Sequence, residues 1–290
     1  MNIQVWTDTD LHGAGSALLL KWLYKDAKAF SIQDVTESTL TGRFKGALHT
    51  LDHYDRVYVA DLDLTPEQVS LIDRENVVVI DSHKNHAKHK DLYKKAKVII
   101  DPDVYSSTTL IYDKFKSHLT HLSKEQIELI ECIQSYDWYN AENKDSLKLN
   151  AIYYNLNSPK TENFINAFEK GLRDFTIQEK NAIKLYFKKF KEQLTGETFT
   201  GKIKEYSIVA TFANYAINEL AHYLINKHKA DISVIVNTQA KTVSFRRSKS
   251  CDADVSILAQ KLCNGGGHAA AAGGKLTEQF ATLTKQFTPC

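Results

Sequence analysis

Asp8, Asp10 and His12 stand at alternate positions in the string TDTDLHGAGSA. Packing gives no reason for so many polar groups beside glycines, whereas a divalent cation does, because carboxylate and imidazole donors suit ions such as manganese. The same residue types recur at Asp61 in VADLDL, at Asp81 and His83 in VIDSHKNH, and at Asp137 in SYDWYN. Taken singly, an aspartate after a strand is as readily a cap or turn residue; recurrence in several segments favours one shared centre. Two metals roughly 3.5 to 4 Å apart can activate a water and stabilise charge on a phosphoryl oxygen, which is phosphodiesterase or phosphatase chemistry.

A second constellation lies far along the chain, in CNGGGHAAAAGG. Gly265, Gly266 and Gly267 let backbone amides approach an anion closely, and His268 adds a proton donor or positive charge. The run opens a small-residue helix or turn. Upstream, VSFRRS sets Arg246 and Arg247 at a strand end, where a guanidinium can grip a phosphate through two parallel hydrogen bonds. A glycine-rich loop alone reads equally well as tight backbone packing; the arginines and histidine favour the anion.

The elements that must position these groups follow from hydrophobic pattern. Four short apolar runs, Ile3 to Trp6, Val57 to Ala60, Val77 to Ile80 and Val98 to Ile100, read as buried parallel strands, and they lead to Asp8, Asp61, Asp81 and Asp101. Helical patterns lie between them at Gly15 to Lys25 and Pro66 to Asp73, the latter begun by Thr65 as a cap and Pro66 in the first turn. Strand alternating with helix implies a parallel α/β sheet. Ligands bind such sheets beyond the carboxyl ends of the strands, so the four aspartates should share one rim.

Leu119 to about Tyr139 reads as helical, and Thr161 to Leu194 as a long lysine-rich amphipathic stretch whose lysines form a solvated face. Strands return after Gly196 and Gly201, at Tyr206 to Phe212, Ile232 to Val236 and Thr242 to Arg246, with a helix at Ala216 to Lys227. The expected organisation is α/β throughout: a parallel-sheet domain over 1–158, a helical connector over 159–201 and a smaller C-terminal α/β domain over 202–290.

The chain has 290 residues, 43% of them hydrophobic, enough to bury a substantial core in two domains. Its 37 Lys and Arg nearly balance 35 Asp and Glu, so nucleic-acid binding must come from local charge. The cysteines, Cys132, Cys251, Cys263 and Cys290, form no CxxC pair, which disfavours a zinc ribbon or a disulfide framework and fits free thiols in a reducing compartment. The start MNIQVWTDTD has no basic lead before an apolar stretch, and no segment approaches the ~18 apolar residues that cross a bilayer. A cytoplasmic protein without membrane association is expected.

Together the two ends resemble the DHH phosphoesterase family, whose members join an N-terminal metal-binding domain to a C-terminal substrate domain bearing a GGGH motif. The resemblance spans nearly the whole chain. It is carried by GGGHAAAAGG, SFRRS and DADVSILAQKL at one end, and by DTDLHGAGSA, VADLDL, VIDSHKNH, YSSTTLIYDKF and YDWYN at the other. The YDW string and compact first loop look most like the oligoribonuclease-like branch. The resemblance implies two manganese ions, with magnesium an alternative, and a short single-stranded oligonucleotide or linear dinucleotide as substrate, cleaved between the domains to mononucleotides. By position, Asp8, Asp10, Asp61 and Asp137 would hold one metal, and Asp61 would bridge to a second. Asp61, Asp81 and His83 would form the catalytic set, His83 would touch the scissile phosphate, and Arg246, Arg247, Gly265, Gly266, Gly267 and His268 would hold a neighbouring phosphate or terminal nucleotide.

The chain departs from the family pattern. Where relatives have His, Asp, Asp in the first motif, it has Asp8, Asp10 and His12; where they have Asp-His-His, it has Asp81, Ser82 and His83. The imidazole gained at His12 is read as compensating for the one lost at Ser82. His86 and His89 have no counterpart in the motif and read as solvated surface residues. Trp6, Tyr105, Tyr136 and Trp138 lie near motif segments and could stack on a base, although core packing weighs more. Two other readings stand beside the phosphodiesterase: a phosphatase with Asp8 as covalent nucleophile and Asp10 as acid and base, and a non-catalytic nucleotide-binding protein, which Ser82 favours.

Overall fold

The computed structural model describes the whole chain except Tyr105, residues 138–143, 286–287 and 290, together with the side chains of Glu37, Asp137, Lys144 and Leu283. The chain divides into two compact units, Met1–Ile183 and Lys184–Cys290.

The first unit alternates strand and helix: β1 (Asn2–Asp8), α1 (Leu11–Leu23), β2 (Ala29–Val35), α2 (Glu37–Ala47), β3 (Arg56–Ala60), α3 (Pro66–Ile72), β4 (Val77–Asp81), α4 (Lys84–Ala87), β5 (Lys97–Ile100) and α5 (Ser107–Phe115). The helices α6 (Lys124–Asp137), α7 (Lys144–Asn155) and α8 (Lys160–Phe168) follow, and α9 (Ile177–Gln193) runs across the division between the units. The five strands are parallel in the order β2-β1-β3-β4-β5. The parallel sheet expected from the Val- and Ile-rich runs is therefore present.

Both faces of the sheet are covered, which is why its central strands read as continuous apolar runs. Successive residues alternate between two cores: Ile3, Val5, Tyr58, Ala60, Val78 and Ile80 pack toward α1, while Trp6, Val57, Val59, Val77 and Val79 pack with Leu40 and Phe44 of α2 and Val69 and Ile72 of α3. Helix α1 meets the sheet on one side and α5, α6 and α8 on the other, so it is apolar nearly all round. Trp6 is a core residue, its ring 5.0 Å from Phe44 and its Nε1 donating to Gln4 Oε1 at 2.8 Å. The amphipathic stretch after Thr161 is two helices, not one. Gly171 breaks it at φ 102, where a Cβ would lie 2.5 Å from the Gln126 backbone nitrogen.

The second unit is built from β6 (Thr198–Ile203), β7 (Tyr206–Phe212), α10 (Ile217–His228), β8 (Ile232–Asn237), β9 (Thr242–Arg247), α11 (Val255–Cys263), β10 (Gly266–Gly267), β11 (Ala271–Lys275), α12 (Glu278–Thr284) and β12 (Thr288–Pro289). Its seven strands form a mixed sheet in the order β10-β11-β9-β8-β7-β6-β12, with β7 and β8 parallel across the α10 crossover. One face packs Ile232, Val234, Val243 and Phe245 against Val255 and Ala259 of α11 and Phe280 of α12. The other packs Val209 and Ile235 under Leu220, Ala221 and Leu224 of α10. Cys132, Cys251 and Cys263 are buried free thiols, and no helix among the described residues is long and apolar enough to cross a membrane.

Candidate metal centre

Strands β1, β3 and β4 are neighbours in the sheet, so Asp8 at the end of β1, Asp61 just beyond β3 and Asp81 at the end of β4 share the carboxyl rim. The strand order reverses at β1, and that is where ligands bind in open parallel sheets. Asp101, after β5, lies farther along the rim and donates its backbone N–H to the Asp81 carbonyl at 3.1 Å.

Asp10 is the N-cap of α1, its Oδ1 accepting the Gly13 N–H at 2.8 Å. The cap draws the first turn of α1 so close to β1 that a Cβ on Gly13 would sit 2.2 Å from the Asp8 carbonyl oxygen; only glycine fits. His12 then lies in that first turn, its Nδ1 3.7 Å from Asp10 Oδ2 and its ring 5.6 Å from that of Tyr136. The Thr108 hydroxyl donates to the His12 carbonyl at 2.7 Å, tying α5 to the same turn. Tyr136 brings the end of α6 to His12, but the Asp137 side chain, like Tyr105 and Trp138, lies outside the described residues.

Asp61 adopts the left-handed backbone region at φ 61, while its amide donates to the Ile80 carbonyl at 3.1 Å. A non-glycine residue in this region is uncommon, although Asp and Asn are the side chains most often found there. The side chain is nearly buried. Burial, and then the charge of Asp10, push its carboxyl well above the usual carboxylate range, with Asp81 adding to the rise and His83 and His12 opposing it. Asp61, Asp81 and His83 each offer a ligand atom within 4.8 Å of the others.

Asp81 is fully buried and accepts from both sides: His83 Nδ1 donates to Oδ1 at 2.8 Å and His86 Nδ1 to Oδ2 at 2.7 Å. Burial alone would raise its carboxyl, but the charge and hydrogen bond of His83, with the hydrogen bond of His86, hold it well below the ordinary range. Burial acts on His83 in the opposite sense, and Asp81 overrides it, aided by Asp61 and Asp63, so the imidazolium is pushed up to about 10. Asp63 belongs to the same charged neighbourhood: burial raises its carboxyl, with His83 opposing and Asp81 reinforcing the rise.

One sequence reading is corrected here. His86 is completely buried, not solvated, and its Nε2 lies 2.7 Å from the Tyr93 hydroxyl. His89 is half-buried, its Nδ1 2.9 Å from the Leu64 carbonyl. The spacing of His86 from Asp81 and His83 is a usable signal, masked by the lysines around it. Ser82 is buried, and its Oγ has no hydrogen-bond partner among the described residues.

In the second unit the arginines and the glycine loop meet at one end of the sheet. Arg246 pairs with Ala271 across β9 and β11, and the Arg247 amide donates to Ala270 at 3.1 Å, next to the turn that begins at His268. Arg246 is held by Nε donating to Asn218 Oδ1 and Nη1 donating to the Phe245 carbonyl, both at 2.9 Å. The glycines form a tight hairpin, not a helix start: a Cβ on Gly265 would lie 2.0 Å from the Gly273 oxygen, and Gly267 has φ 132. His222 of α10 joins this group without any prior sequence signal. Burial, then the charges of Arg246 and Lys249, push its imidazole down to about 3, so it is neutral at physiological pH.

Residues 206–288 match the family model of the DHHA1 domain. Among solved structures, an exopolyphosphatase-related protein from Bacteroides fragilis aligns over 98% of this chain and 90% of its own, at 14% identity and a TM-score of 0.56. Exonuclease RecJ bound to manganese aligns over 98% of this chain and 88% of its own, at 11% identity and a TM-score of 0.52. RecJ in complex with Mn2+ from Thermus thermophilus aligns over 98% of this chain but 51% of its own, at 12% identity and a TM-score of 0.59. At these identities the likeness is one of fold. No curated protein matches the chain in sequence.

Proposed function

This chain has the DHH phosphoesterase fold and carries a DHHA1 domain, and from that premise we propose that it is a metal-dependent phosphodiesterase of short single-stranded oligonucleotides or dinucleotides. The observation that carries the proposal is the convergence of carboxylates and imidazoles on adjacent strand ends, with Asp61 buried among like charges in an uncommon backbone conformation. A buried carboxylate so placed is unfavourable alone and becomes favourable beside a cation.

The donor set fits manganese or magnesium. Asp8, Asp10, His12 and Asp61 are the residues proposed to hold the metal, with Asp137 as a further candidate from the family pattern. Bound metal would supply a water of lowered pKa and charge stabilisation at the phosphoryl oxygens. Asp81 holds the His83 ring through Nδ1, and a protonated imidazole so oriented is suited to donate to a phosphate oxygen. In the second unit, Asn218 and the Phe245 carbonyl fix the Arg246 guanidinium, which is suited with Arg247 and His268 to a second phosphate or a terminal nucleotide. RecJ and the exopolyphosphatase-related protein are named for phosphoester and phosphoanhydride substrates, which supports the substrate class without fixing it.

Ser82 favours a second reading, a nucleotide-binding protein without turnover, because a buried hydroxyl without a hydrogen-bond partner among the described residues stands where the family pattern has an imidazole. One experiment separates the two: a 5′-labelled two-to-ten-nucleotide RNA and DNA ladder incubated with manganese, magnesium or chelator, with Asp61→Asn as the contamination control. Metal-dependent cleavage of the shortest species, absent in the variant, supports the phosphodiesterase. Saturable binding without cleavage in any metal overturns it in favour of the binding protein.

A further inference from the structure

The loop after β4 holds one imidazole that the proposed chemistry does not use. His86 is fully buried in the short helix α4, with Nδ1 2.7 Å from Asp81 Oδ2 and Nε2 2.7 Å from the Tyr93 hydroxyl. With both ring nitrogens in hydrogen bonds and no exposure, it is not placed to bind a metal or a substrate. Its effect is on Asp81. A carboxylate has about four lone-pair sites, and four donors approach this one: His83 Nδ1 at 2.8 Å and Ser107 Oγ at 3.4 Å on Oδ1, and His86 Nδ1 at 2.7 Å and the His83 amide at 3.3 Å on Oδ2. Asp81 is thereby fixed in rotation, and the ring plane of His83 is fixed with it. Helix α4 has four residues and no side-chain cap, so its own hydrogen bonds hold the loop weakly.

We infer that His86, backed by Tyr93, is a positioning residue that sets the Asp81 carboxylate and, through it, the His83 imidazole at the metal centre. Asp81 and His83 share one cluster of ligand atoms with the proposed metal ligand Asp61, and removing the hydrogen bonds that stand behind such a cluster typically lowers metal affinity or activity 10- to 100-fold. The inference rests on the metal-dependent reading above. It also accounts for the second imidazole in DSHKNH, which three residues beyond His83 serves Asp81 from behind.

The test is calorimetric titration of the full chain with manganese alone, comparing wild type with His86→Leu, His86→Asn and Tyr93→Phe, each checked for folding by circular dichroism. His86→Leu should bind manganese about 10- to 100-fold more weakly. His86→Asn, whose amide can donate from near the Nδ1 position, should recover most of that loss, and Tyr93→Phe should show a smaller loss in the same direction. Hydrolysis of bis(4-nitrophenyl) phosphate should fall in kcat with KM little changed. Unchanged manganese affinity in folded His86→Leu and Tyr93→Phe overturns the positioning role, as does a loss that His86→Asn does not restore. If His86→Leu fails to fold, Tyr93→Phe decides by the same criterion. Wild type that takes up no manganese overturns both this inference and the metal-dependent reading.

Discussion

Replacing Asp61 by asparagine separates what the site costs the fold from what it does. Asp61, Asp81 and His83 offer ligand atoms no more than 4.8 Å apart, and two unit charges at that separation interact by about 3.5 kcal/mol at an effective dielectric of 20. The attraction of His83 and His12, partly countered by the smaller repulsion of Asp81, does not outweigh burial and the charge of Asp10, which are left acting against the carboxylate. Asparagine removes the charge, and it tolerates φ 61 as well as aspartate does. Relief of such a functional-site penalty is commonly worth about 0.5–2 kcal/mol, and each kcal/mol moves Tm by about 2–4 °C in a unit of this size. Metal-free Asp61→Asn should therefore melt up to about 8 °C above wild type. Asp61→Ala loses the same charge but puts alanine in the left-handed region, at a cost of about 1–2 kcal/mol, so its Tm should stay near that of wild type. Manganese at about 100 times its Kd would stabilise the wild type by about 2.7 kcal/mol, and both variants should lose that shift together with turnover. Differential scanning fluorimetry in chelator and in manganese reads all of this. An asparagine variant that melts below wild type in chelator, or that keeps the full manganese shift, refutes the reasoning.

Three further outcomes are expected. The His83 imidazolium is raised to about 10, so its stabilising effect is complete below its ordinary range near 6.5 and is lost as pH rises through about 10; Asp61, also raised, acts in the same sense at lower pH. Urea midpoints of the metal-free protein should fall between pH 7 and 10, and His83→Gln should flatten that part of the curve. Gly13→Ala would set a Cβ 2.2 Å from the Asp8 carbonyl and should cost about 1–3 kcal/mol in urea unfolding; no loss would mean that α1 moves freely from β1. Asn218→Ala removes the acceptor that holds Arg246 Nε, so KM for a dinucleotide should rise severalfold with kcat nearly unchanged. A drop confined to kcat would count against Arg246 as a binding group.

The strands of the first unit were legible because burial on both faces writes an unbroken apolar run, and the rim aspartates were legible because each follows such a run. Strand β2 was not: AFSIQDV is half-buried through most of its length at the sheet edge and carries no run. Helix α2 contains Gly42 and Gly46, poor helix formers, and is held by Leu40 and Phe44 packing in the Trp6 core, a tertiary cause that local sequence does not carry. At the site, Asp8, Asp10, His12, Asp61, Asp81 and His83 were all named from spacing. His86 was not, because KNHAKHK is lysine-rich and reads as surface; its burial depends on Tyr93 and Asp81 closing around it. Asp63 and His222 likewise gain their roles from neighbours distant in sequence.

The hairpin between β8 and β9 pairs Asn237 with Thr242, Val234 with Phe245 and Ser233 with Arg246. Phe245 belongs to the core beside Phe280, while Arg246 faces Asn218 of α10 on the opposite side. Because strand side chains alternate, one residue inserted at 238–241 and absorbed by sliding β9 would exchange these two faces, driving a guanidinium toward the Phe280 core and a phenyl ring to Asn218. The loop is thus a counting device: its length, more than the chemistry of its own residues, decides which side of the sheet carries the cation. Insertions there should be tolerated far less than their exposed position suggests, and deep mutational scanning that includes single-residue insertions would show 238–241 as an intolerant stretch on an otherwise permissive surface.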